Sequence, residues 1–160
     1  MKPLISNIVT AVTGTDASIL AAKYGIVMAK TYNCKLIAVY VVDTATIKQL
    51  TLSKIFLPEE GAEYEKSLEN NGNRYLTFVE ELASAKGVKI EKIMRRGAIY
   101  TEILTAADEK KADLILLGGW EKDTKTKDII GHSHRETVMN AKCSVTIVKE
   151  PEIDQIYKRL

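Results

Sequence analysis

Short apolar runs recur along the chain at the spacing expected for β-strands. Four of them are Asn7 to Val12, Lys35 to Asp43, Leu114 to Leu117 and Val145 to Val148. Nearly continuous apolar runs of this length are typical of parallel strands that are covered on both faces. A further strand is predicted in the segment VKIEKIMRRG, where apolar and polar positions alternate until Gly97. The pattern therefore predicts five strands.

Apolar positions at helical spacing fill the segments between these runs. The sequence from Thr13 to Asp16 predicts a turn into a helix that is capped by Thr15 or Asp16. The irregular stretch from Asp43 to about Glu65 is too long for a structureless loop, so part of it should be helical or packed over the sheet. Later helices are predicted from about Glu63 to Lys86, from Ile99 to Ala107, and from about His134 to Ala141.

Strands and helices alternate throughout the chain. This order predicts one α/β domain over residues 1–160: a doubly wound, five-stranded parallel sheet with helices on both faces and right-handed crossovers. In such folds a ligand binds beyond the carboxyl ends of the strands, where the strand order reverses. The segments to inspect are therefore Thr13 to Asp16, the stretch after Val42, and Gly118 to His134.

Composition narrows the class of protein. The chain has 160 residues, of which 46% are hydrophobic and 28% charged, and its formal net charge is +2. Lysines and glutamates are intermixed rather than gathered into a basic stripe, which argues against nucleic acid as a partner. The first apolar run is too short and too polar for a signal peptide or a membrane span, so we expect a cytoplasmic protein with no membrane partner. Cys34 and Cys143 lack zinc spacing and are expected to be buried, reduced thiols.

Several motifs together resemble the universal stress protein family. They are VTAVTGTDAS at the first strand, LIAVYVVD at the second, RRGAIYTEIL after the third, and DLILLGG, GHSHRETV and SVTIV in the last third. The resemblance covers nearly the whole chain. It implies an adenine nucleotide alpha hydrolase-like fold, a homodimer joined through the last strand and, in one branch, ATP or AMP bound at the strand ends.

The spacing from Gly118 to Gly131 equals that of the family's nucleotide motif, G-x-x-G-x(9)-G-[ST]. Three positions depart from the nucleotide-binding members. Glu121 stands where the second glycine belongs, His132 replaces the small hydroxyl residue, and Thr13 replaces an aspartate. The resemblance assigns the candidate nucleotide-binding residues as Thr13, Gly14, Val41, Gly118, Gly119, Gly131, His132 and Ser133.

Each departure has a physical consequence for a bound nucleotide. A glutamate side chain at 121 adds bulk and negative charge where a bare backbone would approach the phosphates. Thr13 can form a hydrogen bond but offers no carboxylate, while His132 can still donate to phosphate. We expect weak ATP binding, with AMP or adenosine less affected.

The candidate site also has plainer interpretations. Gly118 and Gly119 fit either a phosphate loop or an ordinary turn after a buried strand. Trp120 is interpreted as packing, the lysines of residues 122–127 as solvated, and Arg95 and Arg96 as a polar rim.

The two histidines of the HSH sequence, His132 and His134, are residue types that could form a metal site or act as a general base. No third ligand occurs at a recognisable spacing, so no metal is assigned. A predicted helix start at this segment instead favours anion contact by His132 and Ser133.

Three functions compete. The leading hypothesis is a binding or regulatory module in the stress response that catalyses no evident reaction of its own. It would have a degenerate ATP or AMP site and would form a homodimer through the edge strand Val145 to Val148. The alternative is a slow ATP-hydrolysing protein or nucleotide-dependent switch that uses the loop from Gly118 to Ser133. A flavin or electron-transfer domain is disfavoured because the first turn has no glycine-rich sequence beyond Gly14.

Overall fold

A computed structural model describes residues 1–119 and 124–160, and the side chains of these except 124–130. Five parallel strands form one sheet in the order β3-β2-β1-β4-β5. The strands are β1 (Asn7–Val12), β2 (Lys35–Val42), β3 (Ile90–Arg96), β4 (Leu114–Gly118) and β5 (Ser144–Val148). The helices are α1 (Asp16–Tyr32), α2 (Thr44–Leu52), α3 (Pro58–Ser84), α4 (Ile99–Glu109), α5 (Thr124–Asn140) and α6 (Ile153–Arg159).

The central strands are covered on both faces, as their apolar sequences require. Successive side chains of a strand point to opposite faces, so Ile8 belongs to a cluster with α1, α3 and α6, whereas Val9 belongs to a cluster with α4. Both side chains are fully buried. The helix α5 packs beside α4, and the Tyr157 hydroxyl of α6 donates to the Leu82 carbonyl of α3 at 2.7 Å. No helix in the described part of the chain is long and apolar enough to cross a membrane.

Pairing between β1 and β4 ends before either strand does. Their register runs from Ile8–Leu114 to Thr10–Leu116. Beyond that point β1 stays paired with β2 as far as Val12, while β4 stays paired with β5 as far as Gly118. The sheet is therefore split at its carboxyl edge, at the position where the strand order reverses.

The predicted fold class and all five strands are confirmed. Part of the stretch after Asp43 is helical, as expected, and Thr15 is the residue that caps α1. The helix predicted from about Glu63 begins five residues earlier, because Pro58 is well suited to the first helical position. The short helix α6 was not predicted.

Three other predictions were wrong. The last long helix was placed at about His134, but α5 begins at Thr124. Gly131 was interpreted as a loop residue, yet a glycine inside a helix costs only about 1 kcal/mol and the segment contains no proline. The two cysteines are free, but they are half-buried rather than buried. Partial burial raises the pKa of both thiols.

Candidate functional site

A cavity of about 300 Å³ opens where β1 and β4 separate. Ala11 and Leu117 line it from the two separated strands, and Val39 and Val41 line it from β2. Helices α3 and α4 contribute Leu68, Ile99 and Ile103, and Tyr64 reaches it from the first turns of α3. The walls are thus mainly apolar, with a few polar groups from the strand ends and from α5.

The turn after β1 is held by its own hydroxyl groups. Thr15 Oγ1 accepts from the Ser18 backbone N–H at 3.1 Å, which caps α1, and Ser18 Oγ accepts from the Thr13 N–H at 3.2 Å. The Thr13 and Thr15 hydroxyls lie 3.1 Å apart. Gly14 has φ +81°, and a Cβ there would lie 2.5 Å from the Tyr75 ring. Gly14 is therefore needed to form the turn, and it leaves Thr13 and Thr15 on the cavity wall.

Asp43 follows the last residue of β2 and caps α2. Its Oδ1 accepts from the Thr46 backbone N–H at 3.0 Å, and its Oδ2 accepts from the Thr46 hydroxyl at 2.7 Å. Both residues line the cavity. This pair brings a carboxylate to the strand ends in a position fixed by the start of a helix.

The end of β4 is closely packed against α1. A Cβ at Gly118 would lie 2.7 Å from the backbone carbonyl carbon of Ala17. On the other side, Nε2 of the buried His134 donates to the Gly118 carbonyl at 2.6 Å, because that oxygen can only accept. Gly118 is thus a packing residue that allows α1 and α5 to approach the strand end.

A second cavity of about 460 Å³ adjoins the first. It is lined by α2, by the start of α4, and by His132 and Ser133 of α5. The His132 ring is exposed and lies edge-on to the Tyr100 ring, with centroids 5.9 Å apart. Asp43, Thr46, Ile99 and Ser133 line both cavities, so the two spaces meet at these residues.

Comparison with known proteins identifies the family. The sequence model of the universal stress protein family matches residues 5–149. The chain belongs to this family. The universal stress protein MJ0531 of Methanocaldococcus jannaschii is 34% identical over 151 residues, which cover 93% of this chain and 85% of that protein.

Solved structures share the fold of this universal stress protein. The hypothetical protein MJ0577 superposes with a TM-score of 0.75 at 19% identity, covering 92% of this chain and 98% of the other. A universal stress protein family protein from Arabidopsis thaliana with AMP bound superposes with a TM-score of 0.62 at 17% identity, covering 90% of this chain and 91% of the other. The Archaeoglobus fulgidus universal stress protein in complex with dAMP superposes with a TM-score of 0.62 at 14% identity, covering 92% of this chain and 100% of the other. At these identities the likeness is one of fold.

The structure distributes the predicted site residues over several places. Thr13, Val41 and Ser133 line the first cavity, and His132 lines the second. Gly119 lines a third space of about 400 Å³ beside Ala17 and Val148. Gly14 and Gly118 serve the turn and the packing described above, and the half-buried Gly131 lies inside α5. These are their places in the described part of the chain, and their role in binding a nucleotide stays a prediction.

The expected helix N-terminus at His132 and Ser133 was also wrong. Both residues lie about two turns inside α5, where backbone N–H groups are normally bonded within the helix and do not face an anion. Trp120, Glu121, Lys122 and Asp123 fall outside the described residues, as do the side chains of Lys125, Lys127 and Asp128. The expected effect of Glu121 thus stays a prediction.

Arg95 and Arg96 form ion pairs, as expected of a polar rim. Arg96 contacts Glu65 and Glu69 of α3, each at 2.9 Å, and Arg95 pairs with Glu109 of α4. The hydrogen bond and charge of Glu69 raise the pKa of the Arg96 guanidinium. Within residues 1–119 and the described side chains of 131–160, no group of three His, Cys, Asp or Glu residues could hold a metal ion.

The cavity lining includes polar and aromatic residues that were not among the predicted site residues, among them Asp43, Thr46, Tyr64, His134 and Thr137. A sequence signal existed for Asp43, because it follows a buried strand at the edge where ligands bind. No sequence signal pointed to Tyr64, because its position at the cavity depends on how α3 crosses the sheet. Thr137 lay within the helix predicted from about His134 to Ala141, but the sequence did not show which face of that helix meets the strand ends.

Proposed function

We propose that this universal stress protein binds an adenine nucleotide, with the nucleoside in the first cavity. The observation that carries the proposal is the split between β1 and β4, which forms an apolar cavity at the reversal of strand order. Its volume lies near the lower end of the range for small-molecule sites, about 300 to 1,000 Å³. The AMP and dAMP complexes of proteins with the same fold support the choice of ligand class.

Recognition in this proposal comes from the nucleoside more than from the phosphates. The first cavity has apolar walls of Val39, Val41 and Leu117 that suit a purine ring. No lysine or arginine of the described side chains lines it. ATP should therefore bind no more tightly than AMP. The role we propose is that of a nucleotide-responsive binding or regulatory module in the stress response.

Calorimetric titration with adenosine, AMP and ATP at equal salt and magnesium tests this function. Val41→Phe should fill part of the cavity and weaken adenosine binding at least about tenfold, equivalent to about 1.4 kcal/mol. Val138→Phe makes the same change at an exposed position of α5 and should leave binding unaltered. Absence of adenosine and AMP binding by the unmodified protein would refute the proposal, and so would equal binding by the two variants.

We also propose a homodimer joined through β5. This strand lies at the end of the sheet, and the side chains of Val145, Thr146 and Ile147 are only half-buried. An uncovered edge strand tends to pair with another copy of itself. Ile147→Lys should shift the protein toward monomer in analytical ultracentrifugation, whereas Lys92→Glu on the opposite edge strand β3 should not. An unchanged dimer in the Ile147 variant would show that the interface lies elsewhere.

A further inference from the structure

Asp43 occupies the junction between the two adjoining cavities. The first cavity is mostly apolar, whereas the second has Gln49, Tyr100 and His132 on its wall. Asp43 and Thr46 line both spaces, as do Ile99 and Ser133. A ligand that fills the first cavity with an apolar ring would present its next group to this junction.

The Asp43 carboxylate is fixed in place and retains hydrogen-bonding capacity. Thr46 bonds one lone pair on each oxygen, through its backbone N–H and its hydroxyl. A carboxylate has about four acceptor sites, so each oxygen can accept one more hydrogen bond. No lysine or arginine among the described side chains pairs with Asp43. The negative charge at the junction is therefore available to a ligand.

An ionised carboxylate accepts hydrogen bonds and donates none, so the ligand group beside it must be a donor. The apolar first cavity suits the purine ring, which places the sugar at the polar junction. Two neighbouring hydroxyls of ribose provide two donors for the two oxygens. We propose that Asp43 binds the 2′- and 3′-hydroxyl groups of the ribose and thereby selects ribonucleosides over deoxynucleosides. This inference rests on the proposed function and goes beyond it in naming the group that selects the sugar.

Thr13 and Ser133 also line the first cavity, and both carry a hydroxyl group and were predicted to bind nucleotide. The Thr13 hydroxyl lies 3.1 Å from that of Thr15, and a hydroxyl can both donate and accept. Such groups would tolerate a deoxy sugar, because they can pair with each other or with water. A buried or half-buried carboxylate that loses its donor is left with an uncompensated charge, so Asp43 discriminates more strongly.

The test compares adenosine with 2′,3′-dideoxyadenosine in calorimetric titrations. The unmodified protein should prefer adenosine by about tenfold or more, as expected when hydrogen bonds to a charged group are lost. Asp43→Ser removes the carboxylate but keeps a residue that caps helices well, so the protein should remain folded. In this variant the preference should fall to about threefold or less. Asp16→Ser removes an exposed carboxylate at the start of α1 that lines neither cavity, and should retain the full preference.

The outcomes separate this inference from the function on which it rests. Equal binding of the two nucleosides by the unmodified protein would overturn the role of Asp43 but leave nucleoside binding intact. The same conclusion follows if Asp43→Ser keeps the preference for adenosine. Failure of the unmodified protein to bind either nucleoside would overturn both proposals together. Thermal unfolding followed by circular dichroism shows that each variant is folded at the titration temperature.

Discussion

The two ends of the sheet are built in opposite ways from the same strands. At the amino end, the Asp113 carboxylate before β4 accepts from the backbone N–H groups of Ser6 and Asn7, at 2.8 and 3.0 Å. The backbone N–H of Lys35, at the start of β2, donates to the Ser6 carbonyl at 2.8 Å. At the carboxyl end, β1 and β4 separate after Thr10–Leu116, and a cavity takes the place of further pairing.

This difference indicates that the amino end of the sheet stabilises the fold, whereas the carboxyl end has space for a ligand. The amino end joins three strands through the backbone and one charged side chain, so it stabilises the sheet order. At the carboxyl end the pairing that would close the sheet is absent, and the gap is surrounded by helix starts and short polar side chains. Substitutions at the amino end should therefore affect folding, whereas substitutions at the carboxyl end should affect binding.

The largest expected effect is that of Asp113→Ala on folding. Two backbone N–H groups lose a charged acceptor, which should lower the free energy of unfolding by about 2 kcal/mol in urea titrations at pH 7. Adenosine affinity should not change. Asp108→Ala is the matched control, because its carboxylate contacts Lys142 at 3.3 Å on the surface and should contribute well under about 1 kcal/mol.

The loss of unfolding free energy caused by Asp113→Ala should also depend on pH. The N–H groups of Ser6 and Asn7 lower the pKa of the Asp113 carboxyl. A group whose pKa is lower in the folded state stabilises the fold above its unfolded pKa of about 3.9, and this contribution is lost as the pH falls through the folded value. The difference between Asp113→Ala and the unmodified protein should thus shrink below about pH 4. A difference that is constant from pH 7 to pH 3 would show that the charge of Asp113 is not involved.

The amino acid sequence predicts the strands of the sheet better than the separation of two of them at its carboxyl end. Runs such as Lys35 to Asp43 predict strands because burial on both faces requires continuous apolar sequence. No local sequence pattern predicts the separation of β1 from β4, because it depends on pairing between residues about 106 positions apart, as in Ile8–Leu114. The same limit hid the position of Tyr64, which reaches the cavity through the path of α3 across the sheet.

The glycine spacing shows how a local pattern can mislead. The distance from Gly118 to Gly131 matches the family motif, and it suggested one loop with a helix starting near His134. In the structure Gly118 is held between α1 and α5, while Gly131 lies inside α5. A glycine permits a phosphate approach, a close packing contact or a position in a helix, and only the surrounding residues decide among them. Asp43, which has no glycine near it in the sequence, supplies the fixed carboxylate of the cavity.

The smallest expected effect, and the closest test of the contrast between the two ends, is that of Thr13→Val. The Thr13 hydroxyl is exposed at the cavity, and its hydrogen-bond partner among the described residues is the Thr15 hydroxyl, at 3.1 Å. Valine keeps the size and β-branching of threonine, so the free energy of unfolding should change by less than about 0.5 kcal/mol. Loss of one neutral hydrogen bond to the ligand should weaken adenosine binding by about three- to tenfold in calorimetric titration. Thr105→Val, on the outer face of α4, gives the matched control with no change in affinity. If Thr13→Val destabilised the fold as much as Asp113→Ala and left adenosine affinity unchanged, the division between a stabilising amino end and a binding carboxyl end would be wrong.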